Sequence, residues 1–427
     1  MKHHKKLLAV LITGALASSS VFATNGYAPH GIGMKSKGMG GVTIAHQGDA
    51  VAVGGNPAGS AWMEDRVDVG IDLFRPIREA EITGSGVPMF NTTYDGSDSK
   101  LFPIPEFGYR RGLNDQVAFA LSMFGNGGMN TDYKDGFPIF NLDQTTFTSD
   151  RTGINLSQLF IVPSASYKLN SNNSIGLGLN LVAQGFKARG LDNFVGMSES
   201  PDKLTNNDTE WSYGAGIRIG WMGKVSQNVT LGATYQSRTY MSEFDDYAGL
   251  FAEQGDFDVP ANFGVGIAVQ ATPDLLIAAD VMRIQYSQVD SISNPMSNLF
   301  EGNLLGSDNG PGFGWEDMTV YKLGVEYKLN PTLTLRAGYN HGKAPIPSSE
   351  TLFNVLAPAT VEDHVTLGAT WALNNDMEIT AAYMHAFEKT INGDVNPIIQ
   401  QYFGGVAPAA NISMYQDSLG IAFSWKL

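Results

Sequence analysis

The sequence predicts an all-β protein, a transmembrane antiparallel β-barrel of about fourteen strands with an N-terminal plug inside its lumen. Three observations carry that prediction. From Arg66 onward, apolar and polar residues alternate through about fourteen short segments, the period of a strand with one greasy and one wet face. The connections between these segments alternate between short and long. A glycine-rich stretch without periodicity, Gly31 to Gly59, precedes the first of them.

Taken in order, residues 1–23 read as a signal peptide. Lys2, Lys5 and Lys6 make a positive head, Leu7 to Leu16 an apolar stretch, and Val21-Phe22-Ala23 a small-x-small cleavage site, so the mature chain is expected to begin near Thr24. The apolar stretch is too short for an anchoring helix. Loss of those lysines takes the formal charge from −15 to −18, which argues against a nucleic-acid partner. Zero cysteine excludes a disulfide scaffold, a thiolate metal site and a lipid-anchored N-terminus.

Residues 24–65 are the expected plug, or hatch. They contain Gly31-Ile32-Gly33, Gly38-Met39-Gly40-Gly41 and Gly54-Gly55-Asn56-Pro57-Ala58-Gly59. Such a stretch cannot bury a face of its own, yet carries too little charge to read as a disordered tail, so it packs inside the strands that come after it. In Asn56-Pro57-Ala58 the proline fixes the backbone and holds Asn56 extended, leaving its amide free to bridge backbone groups of a neighbour. Asn-Pro is also an ordinary turn opener.

Residues 66–427 are the expected barrel. In its first segment Val67, Val69, Ile71 and Leu73 face one way, and Asp68, Gly70 and Asp72 the other. The pattern recurs to the last segment, Leu419 to Leu427, which is expected to close the barrel. Polar turns such as Gly112-Leu113-Asn114-Asp115 and Asn170-Ser171-Asn172-Asn173 alternate with long loops near residues 75–100, 125–155, 186–209, 238–256, 286–316, 340–361 and 388–414. Short periplasmic turns and long outer loops are the asymmetry of an outer-membrane barrel. Asn180, Gln184, Arg218, Gln236, Lys322, Glu326, Arg336 and Asn340 fall on the lumen face. Tyr167, Trp211, Trp221, Tyr235, Tyr327, Tyr339, Trp371, Tyr383 and Trp425 form an interface girdle. Charged residues at 16% with aromatics at 11%, and no apolar run of spanning-helix length, suit such a wall. The expected location is the bacterial outer membrane, with outer-membrane lipid and lipopolysaccharide as surroundings and a monomer as the unit.

Chemistry is harder to place. His30, His46, His341, His364 and His385 lack the spacing of a metal site, so no metal, cofactor or catalytic residue is assigned. His364 beside Asp363 on the lumen face is the one feature a barrel-wall hydrolase could use. Gly125-Asn126-Gly127-Gly128 ends a strand, either as a kink that another backbone approaches or as the start of a loop. The loop after it holds Phe137, Ile139, Phe140, Leu142 and Phe147, dense enough for an outer groove that captures something greasy; a self-packed loop is the alternative.

Gly31-Ile32-Gly33, Gly38-Met39-Gly40-Gly41, Asn56-Pro57-Ala58, Val259-Pro260-Ala261, Asp280 to Tyr286, Tyr321 to Tyr339 and Val361-Glu362-Asp363-His364 together resemble the FadL/TodX family of outer-membrane transporters for hydrophobic compounds. The resemblance covers the mature chain. It implies external capture, a pocket above the hatch, hatch rearrangement and lateral exit at a kinked third strand, with Asn56, Pro57 and Ala58 meeting Gly125 to Gly128. It implies long-chain fatty acids as cargo, with aromatic hydrocarbons as the alternative, and Lys187 and Arg189 as carboxylate partners. Their parity points outward unless a bulge intervenes, and a second basic position of the family is Glu316 here. An open porin, a surface adhesin or structural barrel, and a hydrolase are the rival readings.

Overall fold

The computed structural model describes residues 25–402, 405 and 408–427. The expected signal peptide, residues 1–23, lies outside the described residues, as does Thr24. Fourteen long strands form one antiparallel sheet: β1 (Arg66–Thr83), β2 (Phe102–Gly112), β3 (Val117–Asn130), β4 (Gly153–Lys168), β5 (Asn173–Arg189), β6 (Glu210–Lys224), β7 (Val229–Gln236), β8 (Asn262–Thr272), β9 (Leu275–Ile284), β10 (Met318–Asn330), β11 (Leu333–Gly342), β12 (Asp363–Ala372), β13 (Met377–Ile391) and β14 (Ala409–Lys426). Each pairs with its sequence neighbour. The sheet closes because β14 also pairs with β1, from Arg66↔Lys426 to Thr83↔Ala409. Closure leaves no free edge, which a wall in hydrocarbon requires.

The alternation that predicts the strands also sorts their faces. On β5, Leu177, Leu179 and Leu181 point outward while Asn180 and Gln184 are fully buried; on β1, Ile71 and Leu73 point outward and Asp68 and Asp72 inward. Short turns share one device. Asn114, Asn170, Asn330 and Asn374 each use the side-chain Oδ1 to accept hydrogen bonds from the backbone N–H groups two and three residues on. Asparagine suits this because its short side chain closes a turn onto its own backbone.

Several boundaries differ from the expected ones. β1 runs on to Thr83, β3 to Asn130, and β14 starts at Ala409, all inside expected loops. The reason is visible on β1. Above Leu73 the outward positions become Arg75, Ile77, Glu79 and Glu81 and the inward ones Pro76, Arg78, Ala80 and Ile82, so that, Arg78 apart, charge moves to the outer face while pairing with β14 continues. The outward apolar pattern therefore stops where the bilayer stops, not where the strand does. At β8 the error is opposite: Phe257 and Val259 precede the strand, because Pro260 cannot donate into a ladder.

Residues 25–62 lie within the ring of strands and are almost entirely buried. Above them, Phe137, Phe140, Phe186, Phe251, Trp315 and Phe353 belong to one large apolar cluster.

Candidate functional site

The lumen faces of the strands carry charge, and the inner segment answers it. Lys37 Nζ lies 3.0 Å from Asp72 Oδ2 on β1 and 3.2 Å from Glu106 Oε2 on β2. Lys35 Nζ meets Glu378 on β13 at 2.5 Å, and Arg66 completes the group. Burial alone pushes the Lys37 amine down, but the two carboxylates outweigh it and hold it above the ordinary lysine range. Across the barrel, the Thr43 and Ile44 amides donate to Asp280 Oδ2 at 2.7 and 3.1 Å, and Lys322 Nζ donates to the carbonyls of His30 and Gly41. Buried charges in this arrangement hold one seating, since breaking any pair leaves a charge stranded.

Asn56 is a hub. Its Nδ2 donates to the carbonyls of Ile44 (2.7 Å), Trp221 on β6 (3.2 Å) and Ala233 on β7 (3.4 Å), while Oδ1 accepts from the Ala58 amide and caps the short helix Pro57–Trp62. The wall makes room with glycine. A Cβ at Gly220 would sit 1.9 Å from Asn56 Oδ1, and one at Gly176 2.4 Å from the Pro57 carbonyl carbon. Asn56, Pro57 and Ala58 thus lodge against β5, β6 and β7. The expected meeting with Gly125 to Gly128 is corrected: the residue against that run is Tyr27, whose carbonyl accepts from the Gly128 amide at 3.3 Å.

The run itself is a bulge in β3. Gly125 pairs with Leu159 and Gly127 with Gln158, leaving Asn126 as the extra residue, nearly buried, with Nδ2 3.3 Å from Gln158 Oε1. On the other side of β3 the ladder to β2 ends at Phe107↔Met123. Residues 102–106 of β2 and 124–130 of β3 therefore pair with their outer neighbours but not with each other. Pro103 and Pro105 stand in this part of β2, where a missing N–H does no harm. This Pro-x-Pro within a strand was the sequence signal for the gap.

The expected capture residues divide. Phe137 and Phe140 are buried, Ile139 and Leu142 half-buried, and Phe147 exposed with φ of 58°. Loop packing withdraws the first two from the outer surface, because rings this large gain most inside the apolar cluster. Phe140 borders a cavity of about 50 Å³ whose walls include Ile154, Phe186, Phe194, Phe251 and Phe353. No charged side chain lines it. Lys187 and Arg189 do not reach it. The β4–β5 register runs without a bulge from Gly153↔Arg189 to Ile161↔Leu181, so both remain at outward positions, with Lys187 Nζ 3.4 Å from Asp208. Glu316 is exposed.

Two residues were missed. Tyr27 sits in no motif and is identified only by the fold. Arg78 fell in an expected loop but lies on the lumen face of β1, 2% exposed.

A family model described as outer membrane protein transport protein (OMPP1/FadL/TodX) matches residues 10–413. The long-chain fatty acid transport protein of Escherichia coli (strain K12) is 22% identical over 431 residues, covering 90% of this chain and 92% of that protein. Outer membrane protein P1 of Haemophilus influenzae is 22% identical over 484 residues, with 99% and 100% covered. Among solved structures, the P. putida toluene transporter TodX aligns with a TM-score of 0.71 at 19% identity, covering 93% of this chain and 99% of that one. A Pseudomonas aeruginosa FadL homologue aligns with a TM-score of 0.70 at 15% identity, covering 94% and 99%.

Proposed function

Because this chain belongs to the OMPP1/FadL/TodX family of outer membrane transport proteins, we propose that it is a passive uptake channel for long-chain fatty acids, with residues 24–65 as its hatch. The observation that carries this reading is the break in the β2–β3 ladder beside an apolar interior. A greasy solute that leaves through such a break enters the bilayer without crossing water. It would bind among the outer loops at the cavity bordered by Phe140, pass Tyr27 as the hatch shifts, and exit between β2 and β3. Small-molecule sites run to roughly 300–1,000 Å³, so the cavity of about 50 Å³ must widen on binding. The loops and hatch, rather than the wall, are the parts that give.

Aromatic hydrocarbons are the second cargo, favoured by a cavity without a charged lining residue. Transport involves no chemistry on the cargo. The unit is a monomer, bordered by membrane lipid and lipopolysaccharide. The test is uptake of radiolabelled oleate and of toluene by cells lacking their own hydrophobic-compound channels. Faster entrance of either with this protein supports the reading. If neither enters faster although folded barrel is present in the membrane, the transport reading fails.

A further inference from the structure

Arg78 is a buried cation with no carboxylate in direct contact among the described residues. Its Nη1 donates to the backbone O and side-chain Oδ1 of Asn130 at 2.5 and 2.7 Å, and Nη2 donates to the Ser99 carbonyl. All these acceptors are neutral. Its Nε is buried and has no acceptor, and Arg78 forms no ion pair among the described residues. The acids nearest it are engaged elsewhere: Asp132 accepts from Ser99 and Arg151, and Asp95 from the Ser97 amide. Around the guanidinium stand Phe74, Met129, Trp315, Ala357 and Met414, bordering a space of about 10 Å³.

Its position gives this charge a use. Ser99 leads into β2 and Asn130 ends β3, so Arg78 spans the outer end of the β2–β3 gap. An isolated charge in apolar surroundings is costly, and a guanidinium matches a carboxylate with two parallel hydrogen bonds. Resting on the channel reading above, we infer that Arg78 recognises the head group of an acidic amphiphile, exchanging the neutral oxygens of Asn130 for a carboxylate while the apolar tail lies along Phe74, Met129 and Met414. The cargo class is then long-chain carboxylates, selected at the exit rather than at the outer cavity. The narrow space requires the segment Ala357–Ala359 to give when the head group arrives.

The experiment compares binding of radiolabelled oleate and of oleyl alcohol, its neutral isostere, to full-length protein and to Arg78→Gln and Arg78→Lys, with folding checked by heat-modifiable gel mobility. Wild type is expected to prefer oleate by roughly 10-fold or more, the worth of a charge-assisted hydrogen bond. Arg78→Gln should lose that preference with oleyl alcohol binding unchanged, and Arg78→Lys should restore part of it. Equal weakening of both ligands in Arg78→Gln makes the residue a structural strap and overturns the proposal, as does undiminished oleate binding. Wild type binding both ligands equally overturns it while the channel stands, and this arm needs no variant to fold. Wild type binding neither ligand removes the fatty-acid reading and the proposal together, and leaves aromatic hydrocarbons as the cargo.

Discussion

The Tyr27 carbonyl and the Gly128 amide are joined by a hydrogen bond of 3.3 Å, which ties the start of the inner segment to β3 along the stretch where its ladder to β2 is missing. Gly127 makes the contact possible: a Cβ there would lie 2.6 Å from both the Tyr27 carbonyl oxygen and its ring. Gly127→Ala is therefore expected to unseat residues 25–31, with a local cost of about 1–3 kcal/mol. Faster amide exchange over those residues in an intact barrel is the expected outcome.

Asn56→Ala removes two N–H donors shared among three carbonyls and one accepted bond. At about 1 kcal/mol for each bond, the inner segment should loosen by about 2–3 kcal/mol while the strands keep their protection. Amide exchange over residues 43–62, read beside oleate uptake, measures both effects. Unchanged exchange there would show that the hub is dispensable.

Gly220→Ala places a methyl group on Asn56 Oδ1. It should cost about 1–3 kcal/mol in the native background and much less with Asn56→Ala, since the two positions share one contact. A double-mutant cycle on amide exchange over residues 43–62 gives the coupling. Simple additivity would contradict the contact.

Asp256 and Asp258 share Arg238, at 2.9 and 2.5 Å. Burial, then the neighbouring Asp258, pushes the Asp256 carboxyl up to about 7 against the pull of Arg238. A folded-state pKa above the unfolded value of 3.8 means that its stabilising contribution is complete below about pH 4 and is lost as pH rises through 7. The loop before β8 should resist proteolysis better at pH 5.5 than at pH 8. Asp256→Asn should flatten that difference.

Lys187→Ala should leave oleate binding within about 0.5 kcal/mol of wild type, because the side chain lies on the outer face in an exposed pair with Asp208. The same binding assay checks it. A loss of 10-fold or more would return Lys187 to the pocket.

Strand number and facing were legible because period-two alternation is imposed by the bilayer itself, residue by residue, as on Val67 to Leu73. The turn asparagines were legible for the same local reason. What depends on distant parts of the chain was not. Nothing near Asn56 says that its neighbours are Trp221 and Ala233, and resemblance alone set it against the wrong strand. Tyr27 acquires meaning only when Gly127 is brought beside it. Arg78 was hidden because the exchange of polarity above Leu73 reads like the end of a strand. The broken ladder had a local mark, Pro103 and Pro105, whose significance depends on which neighbour is absent.

That exchange of polarity makes the molecule two proteins of opposite grain set end to end, one turned outside-in for oil and one built inside-out for water. Apolar surface faces the centre in the upper part and the rim in the lower. Somewhere it must change sides. On β1 the reversal comes at Phe74, level with Phe102 of β2, the strand whose residues 102–106 lack a partner on the edge facing β3. The missing ladder sits at the height where the inside ceases to be the greasy side.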